Sequence, residues 1–352
     1  MKTHSKMRNI TKTRKYTKKQ TKHQTKQQSR KLHKFPWLVD EYNLNLTRIH
    51  ELVERKIPQL KIYTKPPINE YPFYKSRFYK FDKTGKYYLI VSSWDSNLEL
   101  NNLTDYFTEK CRFTCKFGKS PSALEYWKKN QTTIIQQLEK QKLPITNYNV
   151  REALYSMNRM IYCNNFRIAV CLEVLDIFKP KRWLDMSAGW GDRLISAILS
   201  PHVEEYCGVD PNPCLHPGYQ AMIKHLDPTS GKKYTLIKDG FETAKLPNTK
   251  FDLVFSSPPF FDLEIYTTQI NDSATKFNNV DAWFNGFLMP SIKKSLQHLE
   301  SGGHLVLYIA ESHNTSKYIQ RMINETDKLA TNAGRFYYTD GKRIREFYCW
   351  RK

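Results

Sequence analysis

Trp183-Leu184-Asp185-Met186-Ser187-Ala188-Gly189-Trp190-Gly191-Asp192-Arg193 is the stretch on which the fold turns. The run 182–186 reads as a short buried strand that stops beside an acid, Asp185. Ser187, Ala188, Gly189 and Gly191 then make a turn of small residues, and 192–199 reads as a helix. Small side chains let a ligand approach the backbone closely, and a helix N-terminus offers free N–H groups. Such a turn also has purely structural uses, so its surroundings decide its meaning.

Working outward, strands and helices alternate from about residue 150, the pattern of a parallel sheet covered on both faces. Residues 151–178 read as mostly helix. Strands are expected at 205–209, 234–238, 251–256 and 304–310, with helices at 217–225 and 281–299. A closing hairpin is expected from 336–338 to 346–350 around Asp340-Gly341. Upstream, 43–56 and 122–137 have helical spacing, and 86–92 reads as a strand.

Two more acids follow strand ends. Asp210 closes Gly208-Val209-Asp210, where a carboxylate can accept both hydroxyls of a ribose. Asp239-Gly240-Phe241 follows the next strand, where an acid and an aromatic ring suit an adenine. Each acid alone also reads as an ordinary loop carboxylate; three at successive strand ends is the pattern of a nucleotide site.

The sharpest signal is Phe251-Asp252-Leu253-Val254-Phe255-Ser256-Ser257-Pro258-Pro259-Phe260. An apolar strand runs straight into Ser-Pro-Pro-aromatic. Consecutive prolines fix φ and lack N–H groups, so the carbonyls of the turn are held with little local competition. An aromatic amine is a poor nucleophile because its lone pair is delocalised into the ring. Hydrogen bonds from its N–H to Ser257 Oγ and the Pro258 carbonyl favour a pyramidal nitrogen, freeing the lone pair for attack on a sulfonium methyl. Phe260 would stack on the base, which must first leave a duplex. The bland alternative is a Pro-Pro stop after a core strand.

On these residues, 151–352 resembles class I S-adenosylmethionine-dependent methyltransferases, in the branch that methylates adenine N6 or cytosine N4. The family's [DNS]-P-P-[YF] tetrad matches Ser257, Pro258, Pro259 and Phe260. LDMSAGWGDRL with SSPPFFDLEIY is similar to DNA methylases of bacteriophages and large DNA viruses, and the similarity extends through YFTEKCRF (106–113) and CNNFRIA (163–169). The resemblance implies a Rossmann-like α/β fold with a seven-stranded sheet whose last strand is inserted antiparallel. It implies S-adenosyl-L-methionine as cofactor, held by Asp185, Ser187, Ala188, Gly189, Gly191, Asp210 and Asp239, with Phe241 beside the adenine and Phe166 covering the site. Serine at the head of the tetrad leans toward cytosine N4, whereas a closing phenylalanine also occurs in adenine N6 enzymes. Two other readings stand beside it: a protein-glutamine amide methyltransferase, which uses a similar turn, and a nucleic-acid-binding protein on an inactive methyltransferase scaffold.

Charge points to the partner. The chain has 352 residues and a formal net charge of +22, and residues 1–34 hold ten Lys and three Arg without an acid. This favours nucleic acid, with DNA ahead of RNA. Residues 1–34 form a low-complexity tail, expected to be disordered, that serves as a tether, an import signal or a solubilising segment. Residues 35–150 are expected to be an accessory, substrate-recognising region, with basic and aromatic residues interleaved over 71–86. The loop 267–280 is a second candidate for recognition. Residues 151–352 form the transferase domain.

Seven cysteines without regular spacing read as reduced intracellular thiols, in cytoplasm or nucleus. Cys111 and Cys115 have no second ligand pair, so no metal is expected. No apolar run reaches the about 18 residues that span a bilayer. Pro213-Cys214 follows the second strand rather than the fourth, which makes Cys214 an ordinary thiol; His216 reads as structural. Asp262, Glu264 and Tyr266 fit either substrate positioning or capping.

Overall fold

The computed structural model describes residues 33–41, 44–56, 58–75, 77–82, 84–92, 98–117, 120–157, 163–229, 231–261, 264–265, 276–311 and 317–352. The tail through residue 32, the loop residues 267–275, Asp262 and Tyr266 lie outside them, and Glu264 is described in its backbone alone.

Eleven strands are numbered in chain order: β1 (Gln59–Tyr63), β2 (Tyr87–Val91), β3 (Lys116–Phe117), β4 (Arg182–Asp185), β5 (Glu205–Val209), β6 (Lys233–Ile237), β7 (Phe251–Ser256), β8 (Glu264–Ile265), β9 (Leu299–Tyr308), β10 (Thr331–Thr339) and β11 (Ile344–Arg351). Nine make one sheet in the order β1-β2-β10-β11-β9-β7-β4-β5-β6. From β9 to β6 every pairing is parallel, whereas β11 lies antiparallel between β10 and β9. The seven strands after residue 180 therefore carry the inserted antiparallel strand.

The expectation of a seven-stranded sheet is corrected to nine. β2 pairs in parallel with β10, and β1 pairs antiparallel with β2. The seven-stranded unit ends on β10, whose outer edge has unpaired N–H and C=O groups; two strands from the 35–150 region satisfy that edge. That region is thus part of the sheet rather than a separate body, and Phe35–Lys352 forms one compact unit. Close approach is required at Gly334, which has φ +87°: a Cβ there would collide with the Lys80 carbonyl as 77–82 crosses β10. The interleaved aromatics of 71–86 serve packing, since Tyr74 and Phe78 lie on Tyr337 of β10, although Phe73 stays 93% exposed.

β4 and β7 run through the centre of the sheet, which explains their apolar sequences. Trp183 and Phe255 stack at 5.6 Å, both fully buried. Burying a side chain such as Phe255 contributes on the order of 2–3 kcal/mol. The helix Asp192–Leu199 packs on one face, and the run Val280–Trp283 to Met289–His298, continuous through a π-turn, covers the other. The strand order reverses between β4 and β7. The carboxyl ends there open a crevice, the usual ligand position in open α/β sheets.

Candidate functional site

Asp185, the last residue of β4, is the hub of this crevice. Its carboxylate is fully buried and accepts from Arg193 Nε at 2.8 Å, Tyr206 Oη at 2.8 Å, Ser256 Oγ at 2.7 Å and the Ser187 amide at 3.3 Å. Arg193 also donates to the Ser187 carbonyl. Burial opposes the charge on Arg193, but Asp185 beside it holds its pKa above the ordinary arginine value. Burial likewise pushes the Tyr206 phenol up, with Asp185 adding to the effect. Four donors use the lone pairs of Asp185. The expectation of direct ligand contact through this side chain is therefore corrected: Asp185 ties the β4 loop to the end of β7. Arg193, Tyr206 and Ser256 are functional positions that the sequence did not announce.

The β4 loop then bends over β5. Ala188 donates its amide to Val209 at 2.9 Å, and Gly189, at φ +60°, donates its amide to Asp210 Oδ2 at 2.9 Å. Tyr219 donates its hydroxyl to the Gly189 carbonyl. A Cβ on Gly189 would meet nothing closer than 3.6 Å, so this residue borders open space. Gly191 differs: at φ +101° it lies where a Cβ would stand 2.7 Å from Met222 Sδ. Its smallness serves helix packing, which corrects its assignment as a ligand contact. Ala188, almost fully buried, is likewise limited to its backbone.

Asp210 follows β5 and accepts from Gly189 and from the Asn212 amide at 2.9 Å. Burial raises its pKa to about 7, against the pull of those two amides. Two acceptor directions remain open on this carboxylate. Asp239, half-buried after β6, accepts from the Gly240 amide at 2.8 Å and Thr243 Oγ1 at 3.1 Å. Phe241 is corrected: its ring is 1% exposed and belongs to the core under Lys294 rather than to an adenine-facing wall.

Ser257, Pro259 and Phe260 are half-buried and Pro258 is buried at the end of β7. Phe260 lies 6.2 Å from Tyr308. Tyr308 lies 5.3 Å from Phe166, and the Arg193 guanidinium sits 5.6 Å over the Phe166 ring. A half-buried aromatic wall thus connects the Ser-Pro-Pro-Phe turn to the β4 loop. Phe166 holds the covering position expected of it, and Tyr308, at the end of β9, was missed. Phe261 adopts φ +53°, an uncommon backbone state for a bulky residue and a frequent mark of constrained sites.

The 35–150 region braces the same edge. Thr104 Oγ1 donates to Asp192 Oδ1 at 2.5 Å, the Phe166 amide to Asp192 Oδ2 at 3.2 Å, and Thr108 Oγ1 to the Trp190 carbonyl at 2.7 Å. Burial raises Asp192 to about 7. Two disulfides, Cys111–Cys214 and Cys115–Cys163, correct the expectation of reduced thiols at these four positions; Cys171, Cys207 and Cys349 are free and buried. Unrelated in sequence spacing, the paired cysteines meet because the helix Asp105–Arg112 lies across the β4 and β5 loops. His216 Nε2 is 2.9 Å from the Asp210 carbonyl, a structural contact as expected.

Among the described residues no group of three or more His, Cys, Asp or Glu side chains could hold a metal ion, and no helix is long and apolar enough to cross a membrane. A cavity of about 560 Å³ bordered by Lys80, Asp82, Asn332 and Arg351 lies at the opposite, amino edge of the sheet.

Fold and crevice together define a Rossmann-like α/β protein with its ligand edge at β4, β5 and β7. Solved structures to which the chain is similar include the N-methyltransferase NodS from Bradyrhizobium japonicum WM9 in complex with S-adenosyl-L-homocysteine, at 13% identity and TM-score 0.37 over 62% of this chain and 98% of that one. TrmN from Thermus thermophilus is similar at 11% identity and TM-score 0.38, over 58% and 66% of the two chains. A methyltransferase from Pyrococcus furiosus is similar at 14% identity and TM-score 0.37, over 63% and 98%. No family model and no curated protein matches the sequence.

Proposed function

We propose that this chain is an S-adenosylmethionine-dependent methyltransferase that modifies an exocyclic amino group of a nucleic-acid base, adenine N6 or cytosine N4, on DNA in preference to RNA. The observation that carries this reading is the Asp185 hub. Through Ser187 and Arg193 it fixes the loop suited to a nucleoside, and through Ser256 it fixes the turn suited to an amine.

The residues fit the cofactor: Asp210 keeps acceptor capacity at the position of a ribose, Gly189 borders open space, and Asp239 stands at the next strand end. When bound, S-adenosylmethionine supplies an electrophilic methyl on a sulfonium. Asp210 would accept ribose hydroxyls, and Ser187 and Gly189 would present backbone to the amino-acid portion. Ser257 Oγ and the Pro258 carbonyl accept the amine N–H bonds, which localises the nitrogen lone pair. Phe260 and Tyr308 stack on the base and exclude water. Transfer forms the N–C bond as the C–S bond breaks, and the surplus nitrogen proton leaves to solvent past Ser257. The net charge of +22 supports a polyanionic substrate.

The test is tritiated-methyl transfer to DNA, RNA and protein panels, followed by nucleoside mass spectrometry. Label in N6-methyladenine or N4-methylcytosine is the expected result; label only in glutamine, or none, overturns the reading. Ser257→Ala combined with Phe260→Ala is expected to lower transfer by about 10²-fold, the scale of losing a positioned hydrogen-bond partner in a reaction centre, with cofactor binding retained by calorimetry.

A further inference from the structure

Beyond the aromatic wall, at the same edge of the sheet, donors collect without acceptors. Tyr338 on β10 is 5% exposed, and its hydroxyl has no hydrogen-bond partner. Two guanidinium groups lie against its ring, Arg167 and Arg345, each 5.5 Å from the centroid. The hairpin that joins β10 to β11 adds the exposed Lys342 and Arg343. One carboxylate answers them. Asp340 pairs with Arg345 at 3.1 Å, and its other oxygen accepts the Lys342 and Arg343 amides at 3.0 Å, so its capacity goes to holding the hairpin. Burial pushes the Tyr338 phenol up while Arg167 and Arg345 pull it down, so the hydroxyl remains a donor at neutral pH.

A buried hydroxyl without a partner is unfavourable, and its pairing with two cations marks a place built for an anionic acceptor. Register fixes where this place is. Tyr338 is opposite Arg345, and Phe347, two residues on, is opposite Tyr308 of β9. Two strand spacings, about 10 Å, therefore separate the Tyr338 cluster from Tyr308. Arg167 directly follows Phe166, so the wall and the cluster share a chain segment.

We propose that Tyr338, Arg167 and Arg345 form a phosphate subsite that holds the backbone of the substrate strand next to the nucleotide stacked between Phe260 and Tyr308. A guanidinium pair with a hydroxyl suits the oxygens of a phosphodiester, and a cationic site leading onto an aromatic platform is the arrangement that single-stranded nucleic acid uses. The inference deepens the methyltransferase reading and rests on it for the identity of the stacked base.

The test is fluorescence anisotropy with a fluorescein-labelled single-stranded DNA 12-mer across a potassium chloride series, with S-adenosylhomocysteine calorimetry on the same proteins. Arg167→Gln and Arg345→Gln are expected to weaken oligonucleotide binding about three- to tenfold and to lower the salt slope by about one each. Tyr338→Phe is expected to weaken it about threefold with the slope unchanged. This variant keeps the ring under both guanidinium groups, so it carries the test if an arginine variant fails to fold. Unaltered binding by Tyr338→Phe and by the folded arginine variants overturns the subsite. Displacement of the oligonucleotide by a polyglutamate peptide at equal charge, with the same loss on Tyr338→Phe, overturns its assignment to nucleic acid. A parent chain that ignores S-adenosylhomocysteine yet shows the oligonucleotide effects upholds the subsite while sinking the methyltransferase reading.

Discussion

β4 and β5 lie side by side and each leads into a buried aspartate, but Asp185 and Asp210 sit in opposite circumstances. Asp185 is surrounded by four donors, one of them the guanidinium of Arg193. Asp210 has two backbone amides and no cation in hydrogen-bond contact, and burial lifts it to about 7. The first is spent on holding the crevice together; the second is left with capacity for something else. An acid at the end of a parallel strand is thus one sequence signal with two physical outcomes, separated by who else is buried nearby.

Removing Asp185 is the strongest way to break this contrast. Asp185→Ala leaves Arg193 buried without its partner, a change that costs about 3–5 kcal/mol, and urea unfolding monitored by circular dichroism should show it. A next-largest loss is expected on the other side, where the loop after Asp210 is pinned covalently by Cys111–Cys214. Cys214→Ser should lower stability by about 2–4 kcal/mol, read in the same unfolding assay without reductant. By contrast, Asp210→Asn should leave the unfolding free energy within about 1 kcal/mol. It should nevertheless weaken S-adenosylhomocysteine binding at least about tenfold by calorimetry, a loss of about 1.4 kcal/mol.

The smallest effect sharpens the comparison through pH. Unfolded, Asp210 ionises near about 4; folded, at about 7. Between these values the folded chain holds the extra proton. The contribution of this carboxyl to stability is therefore complete below about pH 4 and is lost as pH rises through 7. Asp192, also raised to about 7 by burial, acts in the same direction. Binding should run the other way, because ribose hydroxyls donate best to the ionised carboxylate. Affinity for S-adenosylhomocysteine should rise from pH 6 to pH 8, and Asp210→Asn should flatten that rise as well as part of the stability slope. A parallel slope in parent and variant would show that Asp210 does not meet the ligand.

What the sequence disclosed follows the range of each interaction. The strands around Asp185, Asp210 and Ser257 were legible because their apolar runs and the turns after them are local. The antiparallel place of β11 came through resemblance and agrees with the pairing. Arg193 and Ser256 were on the page as letters, but their hydrogen bonds to Asp185 depend on tertiary packing that no spacing encodes. Phe241 looked like a ring beside an acid, and only the position of Lys294, more than fifty residues on, shows it turned into the core. The same holds for the cysteines, where Cys111 and Cys214 are 103 residues apart and meet through the fold. Tyr308 had no sequence mark at all, being one more aromatic at the end of an apolar strand. β1 and β2 were misjudged in role rather than in kind: 86–92 read as a strand, but nothing local says which edge it will pair with.

The parallel pairing of β2 with β10 also sets an order of assembly. Leu89, Ile90 and Val91 must wait for Tyr337, Tyr338 and Thr339, made roughly 250 residues later. During synthesis the early hairpin therefore has one unsatisfied flank throughout most of translation, and it docks after the late hairpin exists. Contacts this distant slow folding and lengthen exposure of apolar strand edges. A nascent chain arrested before residue 331 should consequently be far more protease-sensitive at 59–91 than one released after residue 351.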